Sequence, residues 1–347
     1  MPATAVNPDP AAFVLPTEEP LGPAAPFAQS RQRQSQWWRQ AWLEEAQAIF
    51  DKVFVDDRDF REVLTGKWTM VNGPLAQFYR GVSFGNCCAD FGALGSGSYL
   101  QPQPIFSPSA VPSGIAPTEM DRWVEVKDRG PRASGLLTTA IFMAKYGSRR
   151  AKAHAVYRTF LCRDFVAENL QLQPSTEPNL MLRPGCSTCH AKLEPLAAYF
   201  SRVKESTFSW IPSPIDNPAC NKQTDGLLPA GGCRSYYDVD FSTTAKGQLR
   251  GAYASATNVE AGPAGMAAWT VSQPEFAGCV AETVAQSFLG RALDRDDDAL
   301  RSDLEQKFVE GGYRMRGMVR ALLKADAYKR ANNLDSDAWR EQEGSQR

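Results

Sequence analysis

The pentapeptide Cys186-Ser187-Thr188-Cys189-His190 carries the clearest chemistry in this sequence. Two residues three positions apart share one face of a helix, so the two thiols point the same way and the adjoining imidazole lies beside them. That arrangement suits two thioether bonds to the two vinyl groups of one porphyrin, with the imidazole as an axial ligand to its iron. The 347 residues contain eight cysteines and only two histidines, His154 and His190, so a chance match to the pattern is rare. The expectation is one covalently attached haem c (heme c), with Cys186 and Cys189 as anchors and His190 as the proximal, metal-binding ligand.

Three other chemistries compete for the same residues. A zinc site would join Cys186 and Cys189 to Cys220 and Cys233, but the second pair is spaced too widely for a zinc knuckle. A thioredoxin-like dithiol needs a strand leading into a helix, and Leu182-Arg183-Pro184-Gly185 does not read as a buried strand. A structural Cys186–Cys189 disulfide is disfavoured by the short spacing and by the adjoining His190.

The second axial position decides between electron transfer and chemistry at iron. Met266 follows the loop-like text Ala261-Gly262-Pro263-Ala264-Gly265, although a core methionine at a helix start is the preferred reading. His154 follows Arg149-Arg150-Ala151-Lys152 and reads as an exposed helix residue, yet it is the second histidine and stays a candidate. Met181 lies too close before Cys186 to reach the opposite haem face.

The other cysteines are Cys87, Cys88, Cys162, Cys220, Cys233 and Cys279. Cys220 and Cys233 flank a glycine-containing loop after Asn217-Pro218 and read as a disulfide-closed pair, the alternative being free buried thiols. Charge is balanced, with Lys+Arg 38 against Asp+Glu 39, so nothing recommends nucleic acid or an anionic surface as partner. The longest apolar stretches, such as 135–143, are too short to span a membrane. The first 29 residues show no basic start followed by an apolar run, so no signal peptide is visible, which stands in tension with an exported haem protein.

The elements that must position the motif read as mainly α, a helical haem-binding core with long irregular loops. Residues 1–30 read as a disordered leader, with order beginning near Gln32. An N-terminal helical region with a loop-rich insertion spans 31–130. Its first helix carries Trp37, Trp38, Ala41, Trp42, Ala46, Ile49, Phe50 and Val53 at helical spacing, and Asp57 and Asp59 look like caps for a second helix over 60–64. The stretch 85–132 is irregular, allowing a short hairpin and no separate core. A haem c-binding region spans 131–208, with helices over 135–146, 151–170 and about 186–199. A second loop-rich insertion covers 209–264. The C-terminal helical domain spans 265–330, with a stripe of Phe276, Val280, Val284, Phe288 and Leu289. Asp296-Asp297-Asp298 then reads as an N-terminal cap, and a helix over 313–328 follows Gly311-Gly312. A polar tail occupies 331–347.

The segment CSTCHAKLEPLAAYF, Cys186 to Phe200, resembles the haem-attachment segment of the planctomycete-type multidomain cytochrome c-like proteins, whose domains are named only as unknown-function families. Lys192, Leu193, Glu194, Pro195 and Leu196 resemble that family's basic residue and Asp-Pro-Leu/Ile-Gly step, with Glu194 for Asp and Ala197 for Gly. Gly135-Leu136-Leu137-Thr138 through Phe160-Leu161-Cys162 resembles the preceding segment. Phe276-Ala277-Gly278-Cys279 through Leu289-Gly290-Arg291-Ala292-Leu293, then Gly312-Tyr313-Arg314-Met315-Arg316, resembles the C-terminal helical domain. Asp59-Phe60-Arg61-Glu62-Val63-Leu64 with Val71-Asn72-Gly73-Pro74-Leu75-Ala76 looks like the end of the upstream helical domain. After Phe200 the chain departs from the family, and residues 201–233 read as an insertion. The resemblance implies an exported bacterial protein with one haem c, and it implies a Cys162–Cys279 disulfide.

The functional expectation is a periplasmic or extracellular electron-transfer protein acting with a redox partner protein. The alternative is a haem-iron enzyme, peroxidase-like or oxidatively cleaving, with an open distal site. A metal-free scaffold that keeps the motif as a relic is the third reading.

Overall fold

The computed structural model describes residues 24–83, 103–165, 174, 183–200, 203–204, 209–210 and 261–332. The expected Cys220–Cys233 bridge, Cys87, Cys88, Met181 and most of the second insertion lie outside them. Among the described residues the chain is mainly α, with eleven α-helices and short strands. No described helix is long and apolar enough to cross a membrane.

The first helix, α1 (Ala24–Val55), begins upstream of the expected Gln32. Its opening text Ala24-Ala25-Pro26-Phe27-Ala28 explains the difference: alanine has the best helix propensity, and a proline in the first turn has no N–H to lose. The short helix α2 (Glu62–Thr65) follows. Asp59 serves its start, with Oδ1 accepting the Arg61 backbone N–H at 2.9 Å. Asp57 is no cap; it turns the chain with a positive φ of 53°.

Contact patterns divide the chain into two units, one of 1–49, 64–155 and 165–268, the other of 50–63, 156–164 and 269–347. In the first, strand β1 (Thr69–Val71) leads into α3 (Gly73–Ser83), and β2 (Gln103–Pro104) and β3 (Val124–Val126) follow. The region 85–132 forms no local hairpin among its described residues. Its strands pair with distant ones: β3 runs antiparallel to β1, and β2 pairs with β5 (Ser209–Trp210), which also pairs with β4 (Val203–Lys204). It contributes Phe106, Val111 and Val126 to a common core with Ala41, Val71, Leu75, Phe78 and Tyr79. Trp38 and Trp42 meet Phe78 edge-on at 5.6 and 4.9 Å. Inside this unit Glu45 is fully buried, its carboxylate accepting Thr69 Oγ1–H at 2.7 Å and the Tyr79 hydroxyl at 2.6 Å. Burial pushes the Glu45 carboxyl up, against the pull of Arg129 and the two hydroxyls. Arg129 is itself buried and donates to the carbonyls of Gly135 and Thr138.

The expected helix over 135–146 is split into a 3-10 turn (Gly135–Thr138) and α4 (Ala140–Lys145), because Thr139 is extended and its hydroxyl caps Phe142 N. Helix α5 (Arg149–Leu161) stops well before Leu170, at Cys162, which turns left-handed with φ 50°. Helix α6 (Ser187–Ala198) matches the expected one closely. Helix α7 (Pro263–Val271) begins one residue after Gly262, whose φ is +62° and whose Cβ would stand 2.3 Å from the Trp210 ring.

The second unit holds helices α8 (Glu275–Leu289), α9 (Asp298–Glu310), α10 (Met315–Lys324) and α11 (Asp326–Ala331). Phe276 and Phe308 are fully buried and meet Phe60 and Tyr313, and each such ring removed from water contributes roughly 1.5–3 kcal/mol. Along α8 the buried seam is Phe276, Ala277, Val280, Ala281, Ala285 and Leu289; Val284 is only half-buried and Phe288 is exposed. Asp297 stands at the N-cap position of α9 without a side-chain cap bond. The capping box, set by Asp294 and Asp297, serves the 3-10 turn Arg295–Asp297 before it, and Arg291 also holds Asp297 at 2.5 Å. The expected 313–328 helix breaks at Ala325, where ψ is 141°. Arg316 donates to the carbonyls of Phe54 and Val55, the last residues of α1. Cys162 and Cys279 form a disulfide with Cα atoms 5.3 Å apart, the pairing the resemblance implied.

Candidate functional site

Helix α6 grows out of the turn at Arg183-Pro184-Gly185, where Gly185 takes a φ of 80° that a side chain would strain. Ser187 N–H donates to the Arg183 carbonyl at 3.0 Å, and the Cys189 and His190 N–H groups both donate to the Cys186 carbonyl, at 3.2 and 3.0 Å. Cys186 already has helical backbone angles, φ −68° and ψ −34°. Cys186, Cys189 and His190 therefore occupy one face of a single continuous turn, as their spacing requires. Among the described residues Cys186 and Cys189 are free thiols, both half-buried, and the Cys189 thiol donates to the Phe165 carbonyl.

One turn further on the same face stands Glu194. His190 Nδ1 lies 2.7 Å from its Oε1. Arg150 Nε reaches the same oxygen at 2.5 Å, and Arg149 Nη2 reaches Oε2 at 2.9 Å. The Glu194 side chain is only 6% exposed, whereas His190 is 21% exposed. Burial alone would raise the Glu194 carboxyl; Arg149, the His190 hydrogen bond and Arg150 outweigh it and hold the group below its ordinary value. Glu194 is thus a carboxylate, acceptor-only, and the Nδ1 facing it carries the proton. A neutral imidazole held this way has its lone pair on the other ring nitrogen, Nε2.

The donor types are those a haem c would need: two thiols outside any disulfide, three positions apart on a helix, beside an imidazole whose Nδ1 faces a carboxylate. Cys186 and Cys189 would hold the porphyrin and His190 the iron. Pro195, the residue after Glu194, sits inside α6 and removes the N–H that the Ala191 carbonyl would otherwise receive.

The two candidate distal residues part company. Met266 is fully buried on α7, in keeping with the core reading. His154, expected to be exposed, is half-buried and packs edge-on to Phe165 with ring centroids 5.8 Å apart. Phe165 is the residue whose carbonyl receives the Cys189 thiol, so a single residue touches both. The basic run before His154 is not a solvated cluster either. Arg149 and Arg150 turn to Glu194, and Lys152 is buried and donates to the Tyr146 carbonyl.

Sequence reasoning noted Glu194 only as a departure from the family's Asp, and it missed Arg149 and Arg150 as site residues. The i, i+4 step from His190 to Glu194 was a usable signal; the arginines lie more than forty positions away and gave none.

Residues 19–80 match the family PSD4, described as a protein of unknown function (DUF1592). The match covers the upstream helical region and stops well before α6. No curated protein and no solved structure matches the chain.

Proposed function

We propose that this chain is a c-type haem protein that passes electrons to or from a partner protein outside the cytoplasm. The observation that carries the reading is the single helical face bearing Cys186, Cys189 and His190, with the imidazole anchored through Nδ1 so that Nε2 is available to iron. Bound haem c would supply a one-electron ferric/ferrous couple at this face. The chain's own part is to tether the group through two thiols, fix the imidazole plane, and shelter the supporting carboxylate from water. The Cys162–Cys279 disulfide supports an oxidising compartment, where such bridges persist.

The test is expression with a cytochrome c maturation system, followed by denaturing gel staining for haem and a pyridine haemochrome spectrum. Covalent haem should appear in the wild type and vanish in the Cys186→Ala/Cys189→Ala variant. Unmodified Cys186 and Cys189 in tryptic peptides of the matured protein would end the proposal. Ready binding of carbon monoxide by the resting ferrous protein would move the function from carrier to haem-iron enzyme.

A further inference from the structure

We propose that Glu194 is a positioning residue that sets the electron-donating strength of His190, and that Arg150 limits how strongly it does so. This rests on the haem c reading above. The geometry is specific: a nearly buried carboxylate accepts the His190 Nδ1–H at 2.7 Å from one helical turn away, so the ring is held at a fixed rotation about its own axis. A carboxylate accepting this proton pushes negative charge into the imidazole and strengthens Nε2 as a ligand. That favours the ferric over the ferrous state and lowers the reduction potential. A backbone carbonyl or a water in the same place would push less, because neither bears a charge.

The carboxylate is not left to act alone. Arg150 Nε shares Oε1 with His190, at 2.5 Å, while Arg149 takes Oε2 at 2.9 Å. Two guanidinium groups draw charge away from the oxygen that serves the histidine, so the pair of arginines works against the imidazole for the same electron density. They also offset the cost of burying a carboxylate at this place. Arg150 is the member open to manipulation, since its side chain is 40% exposed while that of Arg149 is 14% exposed.

The two residues therefore move the potential in opposite directions. In the haem-loaded full chain, Glu194→Gln should favour the ferrous state by at least tenfold, which is about 59 mV upward for a one-electron couple. Arg150→Gln frees Oε1 for the histidine and should move the potential downward. Spectroelectrochemical titration of the wild type and both variants reads this directly. An unchanged or lowered potential in Glu194→Gln overturns the proposal. If that variant does not fold, an unchanged or raised potential in Arg150→Gln overturns it instead. A wild type that takes up no covalent haem is a different failure, that of the haem reading itself.

Discussion

Opening the Cys162–Cys279 bridge offers a quantitative test of how the second unit is held together. The bridge joins residues 117 positions apart. In the chain-entropy model, closing a loop of this length removes about 5 kcal/mol of conformational freedom from the unfolded ensemble. The perturbation is Cys162→Ser/Cys279→Ser, which keeps side-chain size and leaves the left-handed turn at residue 162 in place. Urea unfolding followed by far-UV circular dichroism is the assay, on oxidised wild type, reduced wild type and the variant. With a denaturant slope of roughly 2–3 kcal/mol per M, the lost constraint should lower the midpoint by about 2 M. Reduced wild type and variant should coincide. A midpoint shift below roughly 0.5 M, about 1 kcal/mol on the same slope, would refute the reasoning. It would mean that the unfolded chain already keeps these segments together, so that the bond removes little freedom. Non-reducing peptide mapping must accompany the assay, because either cysteine recovered as a free thiol removes the premise.

Two further predictions concern the packing around the site and the second unit. Gly262→Ala should destabilise the fold by about 2–4 kcal/mol, since alanine at φ +62° is strained and its Cβ would collide with the buried Trp210 ring; urea melts that coincide with wild type would contradict this. The Arg291 hydrogen bond holds the Asp297 carboxyl below its ordinary value. A depressed carboxylate contributes stability that is fully present above the ordinary carboxylate range, near pH 4, and is lost as pH falls through its folded value. Asp297→Asn should therefore lose stability at neutral pH and show a shallower decline in acid, readable as thermal midpoints from pH 6 down to pH 2.

What was legible in the sequence was local. The CSTCH spacing and the helix it opens depend on residues within a dozen positions, and α6 starts and stops close to where that spacing placed it. The α8 helix was legible for the same reason, although its buried seam uses Ala277, Ala281 and Ala285 where larger residues were expected to carry it. Thr139 and Ala325 interrupt helices that hydropathy ran through, because a single extended residue leaves the apolar spacing on either side intact. The strands escaped notice: β1 and β3 are three residues each, too short for alternation to register, and more than fifty positions separate them. The buried charges escaped too. Glu45 and Arg129 are buried among neighbours that only tertiary folding assembles, and nothing in their own segments singled them out. Glu194 was read by its type and not by its partners, which arrive from α5.

The grip of Arg316 on the Phe54 and Val55 carbonyls bears on the order in which the chain is made. A helix leaves its last carbonyls without partners, and α1 has its terminal pair served by a side chain 262 and 261 positions later. A ribosome adding roughly 5–20 residues per second would expose the end of α1 for many seconds before Arg316 emerges. Throughout that interval the Lys52, Val53 and Phe54 carbonyls have the local N–H groups of Asp56, Arg58 and Asp57, and the grip of Arg316 is still to come. The carboxyl end of α1 therefore gains the last of its hydrogen bonds only when Arg316, 261 positions after Val55, has been made.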